Sequence, residues 1–460
     1  MTGMASLPST IRCAGCGYVA GSDDPFPFRC PRAGTDDTDH VMARVLRLDG
    51  TRLTGFPGFA GFPGGGEDNP FARYRALMHS YHVAMAHGIS DAGYRDLVAS
   101  LDASVASVDG HGFRVTPFFR SPELSQALGL SAPGGVWVKD ETGNVSGSHK
   151  GRHLMGVLIH LAVMEECGFL DPRNRRGLAI ASCGNAALAA AVVARAGGWP
   201  LTAFVPPDAH PGIVSRLREL RAKVVACSRD PGVLGDPAYL RLRQELACGA
   251  VPFTAQGNEN GLNIEGGETL GYELVTGLAS LPGGLDHLIV QVGGGALASA
   301  CIQAFREAAD LGALDQLPRV HTVQTSGAHP LERAYRRVRA LLPDEFGPDE
   351  VHRAMAKAAA HRSAFMQPWE EVPKSVATGI LDDETYDWRA VVEGMLLTGG
   401  QPLVVSEDVL VEANRLAVST TAIPVDPTGS SGLAGLLDMR RSGAIGDQDR
   451  VAVLFTGIQR

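Results

Sequence analysis

Four short stretches of this sequence bring together residue types that can do chemistry. Asn144-Val-Ser-Gly-Ser-His-Lys150-Gly-Arg152 sets a lysine in a loop crowded with Ser146, Gly147 and Ser148, just ahead of a helical pattern. A lysine so placed is a candidate to form a Schiff base with an aldehyde cofactor; the plainer reading is a solvated lysine at a helix start. Ser182-Cys183-Gly184-Asn185 follows a second apolar run, and Gly293-Gly294-Gly295 a third. Three residues without Cβ let consecutive N–H groups approach an anion, and the helix that starts near Ala296 adds its positive end, which makes a phosphate cradle. A Walker loop is excluded because no Gly-Lys-Ser/Thr follows. A dinucleotide fits poorly, since the next strand, 320–324, ends in Thr325 and Ser326 and not in an acid. A single phosphate fits. The fourth stretch is Cys13-x-x-Cys16, with Cys30 fourteen residues further on. That spacing is half of a zinc ribbon, which needs four tetrahedral ligands. Asp39 or His40 would have to supply the fourth; the alternative is a metal-free remnant.

The elements that must position these loops alternate in kind. Short β-branched runs at 137–139, 177–181, 201–205, 223–227 and 287–292 are followed by helical patterns at 151–167, 186–196, 211–221 and 296–309. Strand–helix alternation implies right-handed crossovers and an α/β fold of open, mostly parallel sheets, whose ligand site lies at strand-to-helix junctions. Residues 333–362 read as one long helix rich in Arg and Ala, 55–66 as a Gly- and Phe-rich linker with no chemistry. No internal repeat is present.

Composition bounds the function. The 460 residues amount to about three ~150-residue domains, and 56 glycines without a collagen period mark many tight turns. With 45% hydrophobic and 20% charged residues the chain can build a large core and is neither disordered nor membrane-spanning. A net charge of −9 argues against nucleic acid or an anionic membrane as partner. The amino terminus lacks a signal peptide's apolar core, and eight cysteines, five of them scattered, make no disulfide framework. The reading is a cytoplasmic protein acting on a small molecule.

Taken together, the motifs resemble the tryptophan synthase β-chain-like (fold type II) superfamily of pyridoxal-phosphate enzymes, closest to its threonine synthase and threonine/serine dehydratase branch. The family's Ser-x-Lys-x-Arg matches Ser148-His149-Lys150-Gly151-Arg152, its Ser-Ser-Gly-Asn loop matches Ser182-Cys183-Gly184-Asn185, and its phosphate loop matches Val292–Gly295. Asp426-Pro427-Thr428-Gly429 resembles the carboxy-terminal Glu-Pro-Ser-Gly segment, and Glu265-Gly-Gly-Glu-Thr269 and the Cys13-x-x-Cys16 module resemble parts of threonine synthases. His149, Cys183 and Gly151 depart from the usual residues and leave the substrate open. The resemblance implies two α/β domains with pyridoxal 5'-phosphate between them. Residues 46–154 and 256–460 would form the large cofactor-binding domain, 155–255 a smaller domain closing on substrate, and 1–45 the zinc-ribbon-like module. Relatives are commonly homodimers.

By the same resemblance Lys150 is the catalytic and cofactor-binding lysine. Gly293, Gly294, Gly295 and Ala296 hold the phosphate, Asn185 meets the phenolic oxygen, and Thr428 meets the pyridine nitrogen, with Asp426 as the competing partner. Ser182, Cys183 and Gly184 bind the substrate carboxylate; for Ser182 and Asn185 the plain alternative is capping of the next helix. Cys183 is either an acid–base group or a buried inert thiol, and His149 touches the phosphate, relays a proton to the leaving group, or packs behind the lysine. Arg152 is expected to orient its loop. The implied reaction is β-elimination from a small polar amino acid such as threonine or serine. Alternatives are a replacement synthase using an activated amino acid, and an inactive scaffold.

Overall fold

The central apolar runs become strands buried on both faces, as parallel strands between helices must be, whereas the edge run Lys223–Ala226 is only partly buried. In His287-Leu-Ile-Val-Gln291 every residue is buried. The computed structural model describes residues 7–47, 62–63, 65–229, 233, 235–279, 281 and 283–460. Most of the expected linker, 55–61 and 64, lies outside the described residues.

The strands are β1 (Ser9–Cys13), β2 (Met42–Leu46), β3 (Phe118–Ser121), β4 (Gly135–Asp140), β5 (Leu178–Ala181), β6 (Leu201–Val205), β7 (Lys223–Ala226), β8 (Val251–Pro252), β9 (His287–Gln291), β10 (Arg319–Thr325), β11 (Pro402–Val405) and β12 (Arg450–Phe455). They form a six-stranded sheet in the order β11-β10-β9-β12-β4-β3, a four-stranded sheet β7-β6-β5-β8, and an antiparallel pair β1-β2. Every pairing in the two larger sheets is parallel except β3 with β4. In the larger sheet β12 lies between β4 and β9, so the loops leaving β4, β9 and β12 emerge side by side at the carboxyl edge. That edge is where an open α/β sheet carries its ligand.

One core joins Ile11, Phe28 and Met42 of the amino-terminal module to Phe71 and Val98, to the helix Lys150–Glu166 and to the four-stranded sheet. Most buried residues between Phe71 and Val105 belong to this core, while Tyr74 and Leu77 pack against Tyr272 and Ala304. Two further cores cover the two faces of the six-stranded sheet.

The long helix expected over 333–362 is three: Pro330–Arg339, Pro348–Ala360 and Arg362–Phe365. Pro343 and Pro348 each lack an N–H and clash with the preceding turn, so the Arg/Ala-rich pattern cannot run through them. Among the described residues no helix is long and apolar enough to cross a membrane.

Candidate active site

Lys150 opens the helix Lys150–Glu166 directly after a tight turn in which Ser146, a non-glycine residue, has φ 58° and Gly147 has φ 67°. The turn is held by the Ser146 N–H donating to Asp109 at 2.7 Å. A Cβ on Gly147 would come within 2.6 Å of Ile458 Cγ2, so the close approach of the carboxy-terminal segment requires glycine there. Behind the turn Arg152, 1% exposed, donates to Glu141 at 2.8 Å and to Glu273 at 2.6 Å. Lys139 reaches the same Glu273 at 2.5 Å. This buried ion cluster ties the helix start to β4 and to the helix Asn263–Leu278, so Arg152 orients the loop, as its sequence context suggests. His149 packs behind the lysine: its Nδ1 lies 3.2 Å from the Thr456 carbonyl, and burial next to Lys150 keeps the ring neutral by pushing its pKa well below 6.5.

Burial also lowers the pKa of Lys150, against the opposing pull of Asp382 and Asp387. Both acids come from the segment 379–387, which wraps the glycine loop. A Cβ on Gly293 would sit 2.3 Å from Asp382 Oδ2 and 2.9 Å from Ile380 Cα, and one on Gly294 would sit 2.8 Å from the Tyr386 ring. The Thr385 hydroxyl donates to the Gly293 carbonyl at 3.0 Å, and the Asp387 N–H to the Gly294 carbonyl at 2.9 Å. Asp382 accepts from the Gly294 N–H; burial raises its pKa to about 6 despite Lys150 nearby. Asp387, raised by burial to about 7, accepts from the Gly257 N–H, and its Oδ2 has no hydrogen-bond partner. Gly295 has φ 97°, and Ala296 starts the helix Ala296–Asp310 without a side-chain cap.

Thr428 belongs to the same cleft. Its Oγ1 accepts from the Gly379 N–H at 3.0 Å, which leaves the hydroxyl hydrogen available, and Gly379 O in turn lies 3.3 Å from the Gly293 Cβ position. Asp426 instead is engaged by the Gly429 N–H, Asn185 and Arg460, with burial raising its pKa to about 6. Asn185 is thus held between Asp426 and Arg460, the latter donating to its Oδ1 and to the Ser146 carbonyl.

Capping does not account for the Ser182–Asn185 loop. The helix Asn185–Gly197 has Gly184 at its N-cap with no side-chain cap bond, and Ser182 Oγ meets only the Gly184 N–H, at 3.4 Å. Among the described residues no side chain caps its first turn. Cys183, considered as a buried thiol, is instead exposed at the loop tip. The surrounding protein and the carboxylates Asp236, Asp208 and Asp382 push its pKa up, so the thiol stays protonated. Sequence spacing revealed neither Asp382 and Asp387 nor Arg460.

Apart from this cleft, Cys13, Cys16, Cys30 and His40 converge: one ligand atom from each lies within 4.8 Å of the others.

Three comparisons with known proteins bear on this geometry. The family described as "Pyridoxal-phosphate dependent enzyme" matches residues 111–457. The threonine synthase of Methanocaldococcus jannaschii is 25% identical over 344 residues, covering 74% of each chain. Among solved structures, maize serine racemase (TM-score 0.56, 18% identity) covers 79% of this chain and 93% of its own. The T.th. threonine deaminase (TM-score 0.56, 22% identity) covers 80% and 98%.

Proposed function

The chain belongs to the pyridoxal-phosphate-dependent enzyme family, and from that premise we propose that it eliminates the β-substituent of a small polar L-amino acid such as serine or threonine, giving an oxo acid and ammonia. The observation that carries the proposal is one lysine and one glycine cradle joined through a single carboxylate. Asp382 lies within electrostatic reach of Lys150 and accepts from the Gly294 N–H. The cradle therefore already binds an anionic oxygen, which is what the cofactor phosphate would present, and the buried amine beside it is the one a cofactor aldehyde needs.

When bound, pyridoxal phosphate supplies a carbonyl that condenses with amines and a ring that accepts the electrons of a Cα–H bond. The N–H groups of Gly293, Gly294, Gly295 and Ala296 would hold its phosphate, with Asp382 withdrawing. Lys150, whose burial favours the uncharged amine by lowering its pKa, would take the Cα proton. Thr428 has a hydroxyl hydrogen to donate to a ring nitrogen. As a neutral partner Thr428 would not hold a ring nitrogen protonated, which would favour expulsion of a β-leaving group over transamination. Asn185 reaches a cofactor oxygen only by giving up Asp426 or Arg460. The uncapped N–H groups after Gly184, with Ser182 and Cys183, are suited to a substrate carboxylate.

The likeness to a threonine synthase supports a second reading, replacement on a phosphorylated amino acid. Asp208 and Asp236 around Cys183 argue against it, because they repel a phosphorylated side chain and tolerate a hydroxyl. Incubation with threonine, serine and O-phosphohomoserine separates the two. Oxo acid from the hydroxy-amino acids supports elimination; inorganic phosphate from O-phosphohomoserine alone overturns it.

A further inference from the structure

The amino-terminal module brings four potential metal ligands together. The turn Cys13–Gly17, closed by the Gly17 N–H donating to the Cys13 carbonyl at 3.0 Å, folds Cys16 back over Cys13. Cys30 and His40 complete the group, and Cys13, Cys30 and His40 are buried. Cys16 Sγ lies 3.7 Å from Cys30 Sγ, and Cys13 Sγ lies 3.5 Å from His40 Nδ1. A regular tetrahedron with Zn–S of about 2.3 Å and Zn–N of about 2.0–2.1 Å has edges of about 3.8 Å between sulfurs and about 3.6 Å between sulfur and nitrogen. A disulfide would need about 2.05 Å. The histidine is oriented as a metal ligand is: Nδ1 points at the thiols, while Nε2 donates to Asp36 at 2.9 Å. A carboxylate on the far ring nitrogen is the usual outer partner of a zinc-bound imidazole.

The loop between Cys30 and His40 also clasps the segment that covers the cradle. Asp37 accepts from the Ser363 N–H at 2.9 Å and from its hydroxyl at 2.8 Å. The Asp39 N–H donates to the Ala359 carbonyl at 2.7 Å, and Arg362 bridges Asp39 to Glu384. Glu384 immediately precedes Thr385, which is bonded to Gly293.

We infer that Cys13, Cys16, Cys30 and His40 hold one zinc ion, and that this ion fixes the 36–40 loop as the clasp that keeps segment 359–388 over the glycine cradle. On binding, the three thiols release their protons to solvent and each sulfur forms one bond to the metal. The site is thereby a brace for cofactor retention, with no part in the reaction.

The test uses the full-length chain, zinc content by mass spectrometry, and hydrogen exchange across 359–388. Expected are about one zinc per chain and faster exchange across 359–388 once zinc is removed by a chelator. Because Cys30→Ser can fail to fold, Asp36→Asn serves as the milder variant. It keeps all four ligands and is expected to weaken zinc binding roughly 10- to 100-fold in chelator competition. Asp37→Asn is expected to keep zinc yet speed exchange across 359–388. A protein purified without zinc that takes up neither zinc nor cobalt overturns the site. A zinc-containing protein whose exchange across 359–388 is unchanged by chelation overturns the brace.

Discussion

Replacing Gly293 with alanine tests the cradle through its contacts. The new Cβ would lie 2.9 Å from Ile380 Cα, 3.3 Å from Gly379 O and 2.3 Å from Asp382 Oδ2. Carbon atoms in ordinary contact stand ~3.5–4.0 Å apart, so the backbone at Ile380 must retreat by roughly 0.6 Å or more. The Asp382 carboxylate can swing away, but Ile380 is main chain and cannot. Retreat strains the bonds from Thr385 to Gly293 and from Asp387 to Gly294, 3.0 and 2.9 Å long. Overpacking of this kind costs about 1–3 kcal/mol, and each lost hydrogen bond about 0.5–1.5 kcal/mol. If about 2–3 kcal/mol of this is borne by the closed cradle, pyridoxal phosphate binding weakens by roughly 30- to 150-fold. Titration of cofactor-free protein with pyridoxal phosphate, followed by absorbance, reads this directly. Gly143→Ala, where a Cβ meets nothing within 4 Å, is the control. A Gly293→Ala protein that binds the cofactor as tightly as the parent would refute the packing argument.

Three further outcomes follow from the same geometry. Asp382 opposes the burial that depresses Lys150, so Asp382→Asn lowers that pKa further. The amine is then neutral to lower pH, and the pH midpoint of cofactor incorporation moves down; an unchanged or raised midpoint contradicts the assignment. Ser182→Ala removes no helix cap, so stability falls by less than the ~1 kcal/mol a cap is worth, while KM for the amino acid rises more than kcat falls. Equal losses in stability and KM would count against a substrate role. Arg152→Ala leaves Glu141 and Glu273 buried without their shared guanidinium and costs about 3–5 kcal/mol in denaturant unfolding. A loss below about 1 kcal/mol would mean that the cluster does not hold the loop.

The parts legible in the sequence are those set by local chemistry. Strands such as His287–Gln291 announce themselves by apolar runs, and the three glycine-bearing loops fall at the junctions their flanking patterns predict. The convergence of Cys13, Cys16 and Cys30 is legible too, with His40, one of two named candidates, beside them. What is not legible depends on long-range packing. Asp382 and Asp387 lie about ninety residues beyond the glycines they cover, in a segment with little regular structure, and no spacing rule joins them. Arg460 reaches Asn185 only because β12 delivers the chain end beside β4. The split of 333–362 is in principle visible, since Pro343 and Pro348 interrupt it, but the Arg/Ala periodicity masks them. Thr428 and Asp426 stand two residues apart in sequence, and only the fold reveals that Asp426 is engaged by its own loop, Asn185 and Arg460.

The central claim is that Lys150 is the residue on which the cofactor is held. The chain has five lysines, and of the other four Lys139 is locked to Glu273 while Lys223, Lys357 and Lys374 are exposed. Borohydride reduction of the pyridoxal-phosphate-loaded protein, followed by peptide mapping, identifies the lysine that carries the pyridoxyl group. The expected result is a label on the Lys150 peptide and its loss, with the loss of visible absorbance, in Lys150→Ala. A label on any other lysine, or an absorbing Lys150→Ala protein, would contradict the claim.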